Sequence, residues 1–345
     1  AKLRRAKGAL YSMRAAKLGL SLICFLGVFA VLQQSDMMNA YVASLKQEQA
    51  VPVFQPAASS TLSPEQLLRE IKQEAEKQRI EPVNAKIDRV WKAIPGYNGR
   101  EVDIETTYRF ALKYGGEDYP LFYKEISPEI QLEDLEPSPI YKGNPNKPMV
   151  ALMINVAWGN EYIPLILDVL REQNVKATFF FDGSWLNKNK ETAKQIIAEG
   201  HEASNHGYSH KDMSKLDRQS AIEEIRKTEL LLKEVLQADN KWFAPPSGDY
   251  DQETVMLAHE LGLKTVLWTV DTVDWKNPSP SWIVRRIQQL IEPGSMILMH
   301  PTDASSQALP EIIRTIKQKG LQFGTVSELL SPNRVNAVES PIKVW

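Results

Sequence analysis

Hydrophobic and polar positions alternate in a regular order over residues 148–330. Short apolar runs predict strands, and between them apolar residues recur every three or four positions, which predicts helices. The predicted strands are 149–154, 176–181, 202–204, 242–244, 265–267, 295–299 and 322–325. The predicted helices are 162–173, 190–199, 217–236, 252–261, 281–291 and 309–319. This order is typical of parallel strands with helical crossovers, and it indicates an α/β fold that is either an open sheet or a (β/α) barrel.

The chain before residue 148 is less regular. Residues 50–63 are rich in Pro, Ala, Ser and Thr, which is a linker composition. Ser63-Pro-Glu-Gln66 then predicts the start of a helix, with Ser63 as its cap and Gln66 at the capping-box position. A helix at 64–79, a helix at 102–113 and a strand at 121–126 make up a small α+β accessory module. The predicted division is a basic flank with a signal-anchor at 1–35, a linker at 36–63, the accessory module at 64–142, the α/β domain at 148–330 and a C-terminal tail at 331–345.

An apolar run at residues 18–32 follows six cationic residues. The positive flank predicts a cytoplasmic N-terminus, and we find no small-x-small cleavage site after the run. We therefore expect a single-pass signal-anchor, with a cleaved signal and a secreted protein as the second choice. In both cases the main domain is extracytoplasmic.

Composition narrows the partners and the chemistry. The chain has 345 residues, 43% hydrophobic and 24% charged, with a net charge of -2, so it fits one large or two smaller globular units. The near-neutral balance gives no electrostatic signature of nucleic-acid binding, and we expect no nucleic-acid partner. The one cysteine, Cys24, lies in the apolar run, so a metal would have to be held by nitrogen and oxygen.

Function in parallel α/β folds collects after the carboxyl ends of strands. His206 and His210 lie there, four residues apart, a spacing that on one helical turn brings both imidazoles to one face. The other strand ends supply an amide, carboxylates, a third histidine and aromatic rings: Asn155, Trp158, Asp182, Trp185, Asp271, Asp274, Trp275 and His300. Metal-assisted hydrolysis needs imidazole ligands and a separate acid, and this set contains both. Alternatively, each histidine is a structural residue and each aspartate caps a turn.

Four motifs occur in a characteristic order: Gly-His-Glu-Ala-Ser-Asn-His-Gly-Tyr-Ser-His at 200–210, Phe-Ala-Pro-Pro-Ser-Gly at 243–248, Asp-Thr-Val-Asp-Trp at 271–275 and Leu-Met-His at 298–300. Together with Trp158-Gly159, they resemble the polysaccharide deacetylases, the NodB homology domain of carbohydrate esterase family 4, over about residues 148–330. Trp158-Gly159 and His300-Pro-Thr-Asp are similar to the sporulation-associated PdaB-like or YlxY-type branch. The resemblance implies a distorted (β/α) barrel.

The resemblance also implies a chemistry. Family members bind a divalent metal, usually zinc, and remove acetyl groups from peptidoglycan, chitin or related cell-wall glycans. His206 and His210 would be the metal ligands, His300 the general acid and Asp274 its orienting carboxylate. The substrate-binding residues implied are Trp158, Pro246, Ser247 and Trp275.

Two positions depart from the family pattern at its first motif. Asn155 stands at the catalytic base and Val156 at the aspartate that ligates the metal, and a register shifted to Gly159 places Ala157 and Trp158 there instead. An amide has no usable basicity near neutral pH. Farther along, Ala244 replaces an arginine and Ser247 an aromatic residue. Asp182 or Glu161, near the strand ends, could substitute as base or ligand.

Two functions are therefore compatible with the sequence. The first is a membrane-anchored, metal-dependent deacetylase of N-acetylated cell-envelope glycan, with reduced or lost activity. The second is a non-catalytic glycan-binding or scaffolding protein that keeps the groove.

Overall fold

The computed structural model describes residues 62–114 and 119–335. Of these residues, 68–108 and 120–335 belong to one compact unit, and 62–67, 109–114 and 119 belong to a second. The expected signal-anchor at 18–32 lies outside the described residues. Within the described ranges, no helix combines the length and the apolar character needed to cross a membrane.

Short strands and two helices make up the part before residue 142. Its elements are α1 (Pro64–Gln78), β1 (Lys86–Asp88), β2 (Lys92–Ile94), β3 (Gly99–Val102), α2 (Ile104–Tyr114) and β4 (Tyr123–Ile126). The capping box of α1 forms as the sequence predicts, since the Gln66 backbone N–H donates to the Ser63 hydroxyl at 3.2 Å and the Ser63 N–H donates to the Gln66 side chain at 2.8 Å. β1 pairs with β2 and β3 with β4, both antiparallel.

Strands and helices alternate over most of the chain from residue 149 onward, as predicted, but a strand at Val270–Asp271 and a helix at Gly183–Lys188 were not predicted. The strands are β5 (Met149–Val156), β6 (Thr178–Phe181), β7 (Glu202–Asn205), β8 (Trp242–Phe243), β9 (Lys264–Thr265), β10 (Val270–Asp271), β11 (Met296–Met299) and β12 (Gln322–Gly324). The helices are α3 (Ile163–Glu172), α4 (Gly183–Lys188), α5 (Lys190–Ala198), α6 (Arg218–Leu236), α7 (Gln252–Glu260), α8 (Pro280–Leu290), α9 (Asp303–Gln318) and α10 (Val326–Leu330).

One parallel sheet carries this domain, in the order β10-β11-β5-β6-β7-β8-β9, with β12 also paired to β5. The sheet curls into a half-barrel, so the expected α/β architecture is confirmed. Ile140 extends the pairing at β9, because its N–H donates to the Thr265 carbonyl at 2.9 Å and its carbonyl accepts from the Leu267 N–H at 2.8 Å. The segment before the predicted α/β domain at 148–330 thus contributes directly to the edge of the sheet.

The last long helix begins earlier than predicted. The apolar pattern predicts a helix at 309–319, whereas α9 starts at Asp303. Residues 303–308 are small or polar, so they carry no hydrophobic period, but the Thr302 side chain caps the helix by accepting from the Ser305 N–H at 3.1 Å. Pro310 lies inside the helix and does not end it.

Side chains of β5 alternate between two sides of the sheet. Val150, Leu152, Ile154 and Val156 are fully buried in the apolar cluster that also contains residues of α3 and α9. Ala151 and Met153 belong to a second cluster, with Phe180, Val266 and Met296. Because successive strand residues face opposite sides, Asn155 follows Ala151 and Met153 on the second side. This register brings Asn155 to the carboxyl end of the sheet, where the other candidate residues lie.

Candidate active site

A cleft of about 440 Å³ lies at the carboxyl ends of the strands. It is lined by Asn155, Trp158, His206, His210, Ser247, Trp268, Asp271, Trp275, Leu298 and His300. The structure therefore brings together most of the residues that the sequence singles out. Asp274 and Pro246 are buried and do not line the cleft.

His206 directly follows β7 and is 1% exposed. Its Nδ1 lies 2.8 Å from the Ala244 carbonyl oxygen, which can only accept, so Nδ1 carries the proton and Nε2 presents a lone pair. Burial lowers the pKa of His206 to about 3, and the neighbouring His210 and His300 add to this lowering. The imidazole is therefore neutral and fixed in one tautomer.

Asn155 faces this lone pair. Its amide Nδ2 lies 3.3 Å from Nε2 of His206, and the tautomer of His206 makes Asn155 the donor. The amide Oδ1 is buried and has no hydrogen-bond partner among the described residues. The atom of His206 that would bind a cation thus accepts a hydrogen bond from this chain's own side chain.

His210 lies in a loop and not on the helical turn that the spacing suggested. Its φ of 55° is in the left-handed region, which non-glycine residues seldom adopt, and Gly207 is also there with φ 70°. The rings of His206 and His210 have centroids 5.3 Å apart. The two imidazoles therefore meet through a strained loop rather than through helical geometry.

Glu224 holds that loop from α6. Its carboxylate accepts from the backbone N–H groups of Tyr208 and Ser209, at 3.1 and 2.7 Å, and from the Ser209 hydroxyl at 2.6 Å. Burial opposes ionisation of Glu224, but these hydrogen bonds and Lys211 outweigh it and lower its pKa. This role is not predictable from the sequence, because Glu224 has the pattern of an ordinary polar helix position.

The His300 and Asp274 side chains form a buried pair. Nδ1 of His300 donates to Asp274 at 2.8 Å, and the backbone N–H of His300 donates to the other carboxylate oxygen at 2.6 Å. Ser305 also donates its hydroxyl to Asp274. This arrangement fixes the orientation of the imidazole, which is the relation that the resemblance implied for a general acid and its carboxylate.

Aromatic rings form the walls of the cleft. Trp158 stacks on His300 with ring centroids 5.3 Å apart and planes 14° apart, and it keeps 43% of its surface exposed. Trp275 is 54% exposed. Trp268, which immediately follows the predicted strand 265–267, was not singled out from the sequence, although the strand-end rule would have found it. The cleft therefore presents large ring faces to a ligand.

Strained backbone occurs in two further loops of the cleft. Ser247 has φ 56° and Val273 has φ 55°. A β-branched residue in the left-handed region is a true outlier, and such conformations persist where the surrounding structure enforces them. Gly159 is required for a similar reason, since its φ is 82° and a Cβ there would lie 2.0 Å from the Pro301 carbonyl oxygen. The cleft loops are held in defined positions.

Asp182 and Glu161, the two residues that could replace the missing carboxylates, lie outside the cleft. Asp182 caps α4, accepting from the Trp185 N–H at 2.9 Å and from the Ser184 hydroxyl at 2.6 Å, and burial raises its pKa. Glu161 is exposed. Neither residue lines the cleft, and Val156 and Ala244 do not line it either.

A divalent metal does not fit the residues present. No group of three or more His, Cys, Asp or Glu side chains in residues 62–114 and 119–335 could hold a metal ion. His206 and His210 supply two imidazoles, and one of them is engaged by Asn155. A hydrolytic site normally takes three protein ligands, so the donor set is incomplete.

Comparison with known proteins finds matches to a family model and to whole relatives. The family model for polysaccharide deacetylase matches residues 142–266. The uncharacterized protein YlxY of Bacillus subtilis is 42% identical over 315 residues, which cover 91% of this chain and 96% of that protein. A peptidoglycan-N-acetylglucosamine deacetylase of Bacillus cereus is 36% identical over 199 residues, which cover 56% of this chain and 72% of that protein.

A solved structure is similar over a large part of the chain. The crystal structure of a CE4 family pseudoenzyme from Bacillus anthracis is 44% identical, with a TM-score of 0.73, and the match covers 78% of this chain and 96% of that one. A mutant of that pseudoenzyme, described as having restored enzymatic activity, is 43% identical with a TM-score of 0.72 over 78% of this chain and 99% of that one.

Proposed function

Because this chain belongs to the polysaccharide deacetylase family, carbohydrate esterase family 4, we propose that its cleft binds N-acetylated cell-wall glycan with deacetylation reduced or lost. The observation that carries the proposal is the amide of Asn155, whose Nδ2 donates to Nε2 of His206. In the register of the family motif, this position belongs to the catalytic base. The chain has kept the cleft and lost the group that activates water.

An amide at position 155, in place of a carboxylate base, should lower the rate of deacetylation strongly. A general base contributes about 10² to 10⁴ in rate, and an amide cannot supply it. The absence of a third ligand among the described residues weakens metal binding as well, because two neutral imidazoles provide neither the number nor the charge of a complete site. Both losses act on the chemical step and leave the walls of the cleft unchanged.

The walls support glycan binding. Trp158 and Trp275 are exposed aromatic rings that line the cleft, and such rings can stack on the apolar face of a sugar. The Bacillus cereus relative is named a peptidoglycan-N-acetylglucosamine deacetylase. We therefore infer that the ligand is peptidoglycan or a related glycan with N-acetylated amino sugars.

A second candidate function is a weak, metal-dependent deacetylase. The intact pair of His300 and Asp274 favours this function. The hydrogen bond between them gives His300 the orientation expected of a proton donor with a supporting carboxylate. In that case zinc is the first metal to test.

Metal content and acetate release distinguish the two candidates. We expect purified protein to bind less than one equivalent of zinc and to release no acetate from chito-oligosaccharide or peptidoglycan above a His206→Ala control, with zinc, cobalt or manganese added. Asn155→Asp alone and combined with Val156→Asp tests whether the remaining geometry supports catalysis. Metal-dependent acetate release by the unmodified chain, abolished in His206→Ala, would replace our first proposal with the second.

We also propose that residues 18–32 anchor the chain, with the main domain extracytoplasmic. The six cations before this apolar run support that orientation. Recovery of the full chain in the membrane fraction, and its release when residues 1–35 are deleted, would agree with an anchor rather than a cleaved signal.

A further inference from the structure

Three aromatic side chains outside the lining of the cleft are linked to the chain segments that hold Trp268 in its wall. The indole packs on Gly248, where a Cβ would lie 2.8 Å from Cη2 of Trp268. Two residues farther along, the Tyr250 hydroxyl lies 2.7 Å from the Tyr141 hydroxyl, a hydrogen bond. Trp91 meets Tyr141 edge-on, with ring centroids 6.5 Å apart and planes at 60°. We call Trp91, Tyr141 and Tyr250 the aromatic row.

The backbone and a cation hold this row in place. The carbonyl of Tyr141 accepts from the Thr269 hydroxyl at 2.7 Å, one residue after Trp268. The ammonium of Lys142 lies 5.2 Å from the centroid of the Trp91 ring, and Lys142 is itself paired with Glu292. The Lys142 side chain is only 6% exposed, so the cation is fixed against the ring. Rings that are positioned in advance lose little entropy when a ligand binds.

Packing alone does not require this arrangement. The aromatic residues that fill the interior, Phe179, Phe180 and Phe181, are fully buried. In contrast, Trp91, Tyr141 and Tyr250 each keep part of their surface in solvent. Half-exposed rings held close to Trp268 in the cleft wall offer a contact surface to a ligand that extends past that wall.

The chemistry of the row fits a sugar polymer. A pyranose ring has an apolar face of C–H groups and a rim of hydroxyls, and Trp and Tyr combine an apolar ring with a polar group in the same way. The two tyrosine hydroxyls can both donate and accept, as sugar hydroxyls do.

We propose that the aromatic row is a second sugar-binding platform, which extends the cleft so that longer strands of N-acetylated glycan bind more tightly than short ones. This inference rests on the proposed function, since it assumes that the cleft itself binds glycan. Trp91 and Tyr141 precede residues 142–266, the part that matches the family model, so the N-terminal portion of the chain supplies two of the three rings and Tyr250 supplies the third.

The test measures binding against ligand length. The full chain is titrated by calorimetry with the dimer, tetramer and hexamer of N-acetylglucosamine, as the unmodified protein and as Trp91→Ala, Trp91→Phe and Trp282→Ala. Trp282 is the matched control, because it is an aromatic residue of α8 outside the row and is 38% exposed. We expect the unmodified chain and Trp282→Ala to bind the hexamer more tightly than the dimer. We expect Trp91→Ala to lose about 3- to 10-fold in affinity for the hexamer alone, and Trp91→Phe to keep most of it.

Each outcome decides the proposal. Equal affinities for dimer and hexamer in the unmodified chain would overturn the platform and leave the proposed function intact. The same loss for all lengths in Trp91→Ala, or an equal loss in Trp282→Ala, would also overturn the platform. Failure to bind any oligosaccharide would overturn both. If Trp91→Ala does not fold, as judged by its unfolding midpoint, Tyr250→Ala provides the same comparison.

Discussion

At position 155, an amide nitrogen in place of a carboxylate oxygen creates a hydrogen bond to His206. A carboxylate only accepts, whereas the amide of Asn155 presents an N–H, and that group lies 3.3 Å from the lone pair of His206. The nitrogen that a cation would need is engaged by the protein itself. Two histidines at the expected positions are therefore compatible with a site that no longer holds a metal.

Asp274 provides a prediction at the scale of single residues. Its carboxylate is fully buried and accepts from His300 twice and from the Ser305 hydroxyl once. Ser305→Ala removes one hydrogen bond to a charged group, so we expect the free energy of unfolding to fall by about 1.5 to 3 kcal/mol. The measurement is unfolding in denaturant.

The neighbouring serine is the control for this change. The Ser306 hydroxyl donates to the uncharged carbonyl of Asp303 at 2.9 Å. We expect Ser306→Ala to cost about 1 kcal/mol. Equal losses in the two variants would show that the charge on Asp274 adds nothing to the Ser305 hydrogen bond.

Between β7 and α6, the loop that carries His210 depends on one helix residue. Glu224 accepts from two backbone N–H groups and one hydroxyl of that loop, and His210 has a left-handed backbone. We expect Glu224→Ala to lower the free energy of unfolding by about 2 to 4 kcal/mol, because the loop donors lose their acceptor. Denaturant unfolding measures the loss.

The adjacent position gives the matched control for Glu224. Glu223 forms an exposed ion pair with Lys227 at 3.0 Å, one helical turn away. Pairs of this kind are worth about 0.5 kcal/mol or less, so we expect Glu223→Ala to be nearly neutral. If both variants lose the same amount of stability, Glu224 does not organise the loop.

Elements with a strong apolar pattern were predictable, and polar elements were not. β5 and β6 are apolar runs that the sequence identifies within two residues. β1 and β2, in contrast, are three residues long and contain lysine, so no hydrophobic pattern marks them. α4 is also missed, since it is a six-residue helix started by the Asp182 cap rather than by an apolar face. Tertiary contacts create these short elements, and a local pattern does not contain them.

For the whole molecule, the strand-end rule located the site. It identified the residues of the cleft because parallel strands end at one edge of the sheet. It did not identify the aromatic row, because Trp91 and Tyr141 come from outside the alternating pattern and meet Tyr250 only through tertiary contacts. The left-handed backbone at His210, Ser247 and Val273 is likewise set by the surrounding fold and not by the residues themselves.

The stability of the whole molecule should depend on a buried histidine outside the cleft. His201 is 6% exposed, and its Nδ1 accepts from the Ala177 N–H at 3.2 Å, so the ring is neutral. Burial, assisted by Lys176, lowers the pKa of His201 from 6.5 to about 4. Between these values the unfolded chain binds a proton that the folded chain does not, so stability falls as the pH decreases from about 6.5 to about 4.

A His201→Gln variant isolates that contribution. Glutamine keeps an acceptor for the Ala177 N–H but does not titrate. The free energy of unfolding of the variant should therefore fall less as the pH decreases over this window. A shift of this size corresponds to about 3 kcal/mol, and we expect the unmodified chain to lose up to that much more than His201→Gln between about pH 6.5 and about pH 4. The free energy of unfolding in denaturant, measured at several pH values, gives both slopes.

His259→Gln, the same exchange at an exposed imidazole, is the control. If the two variants change the slope equally, burial of His201 is not the cause, because the surroundings of the two rings differ while the chemical change is the same.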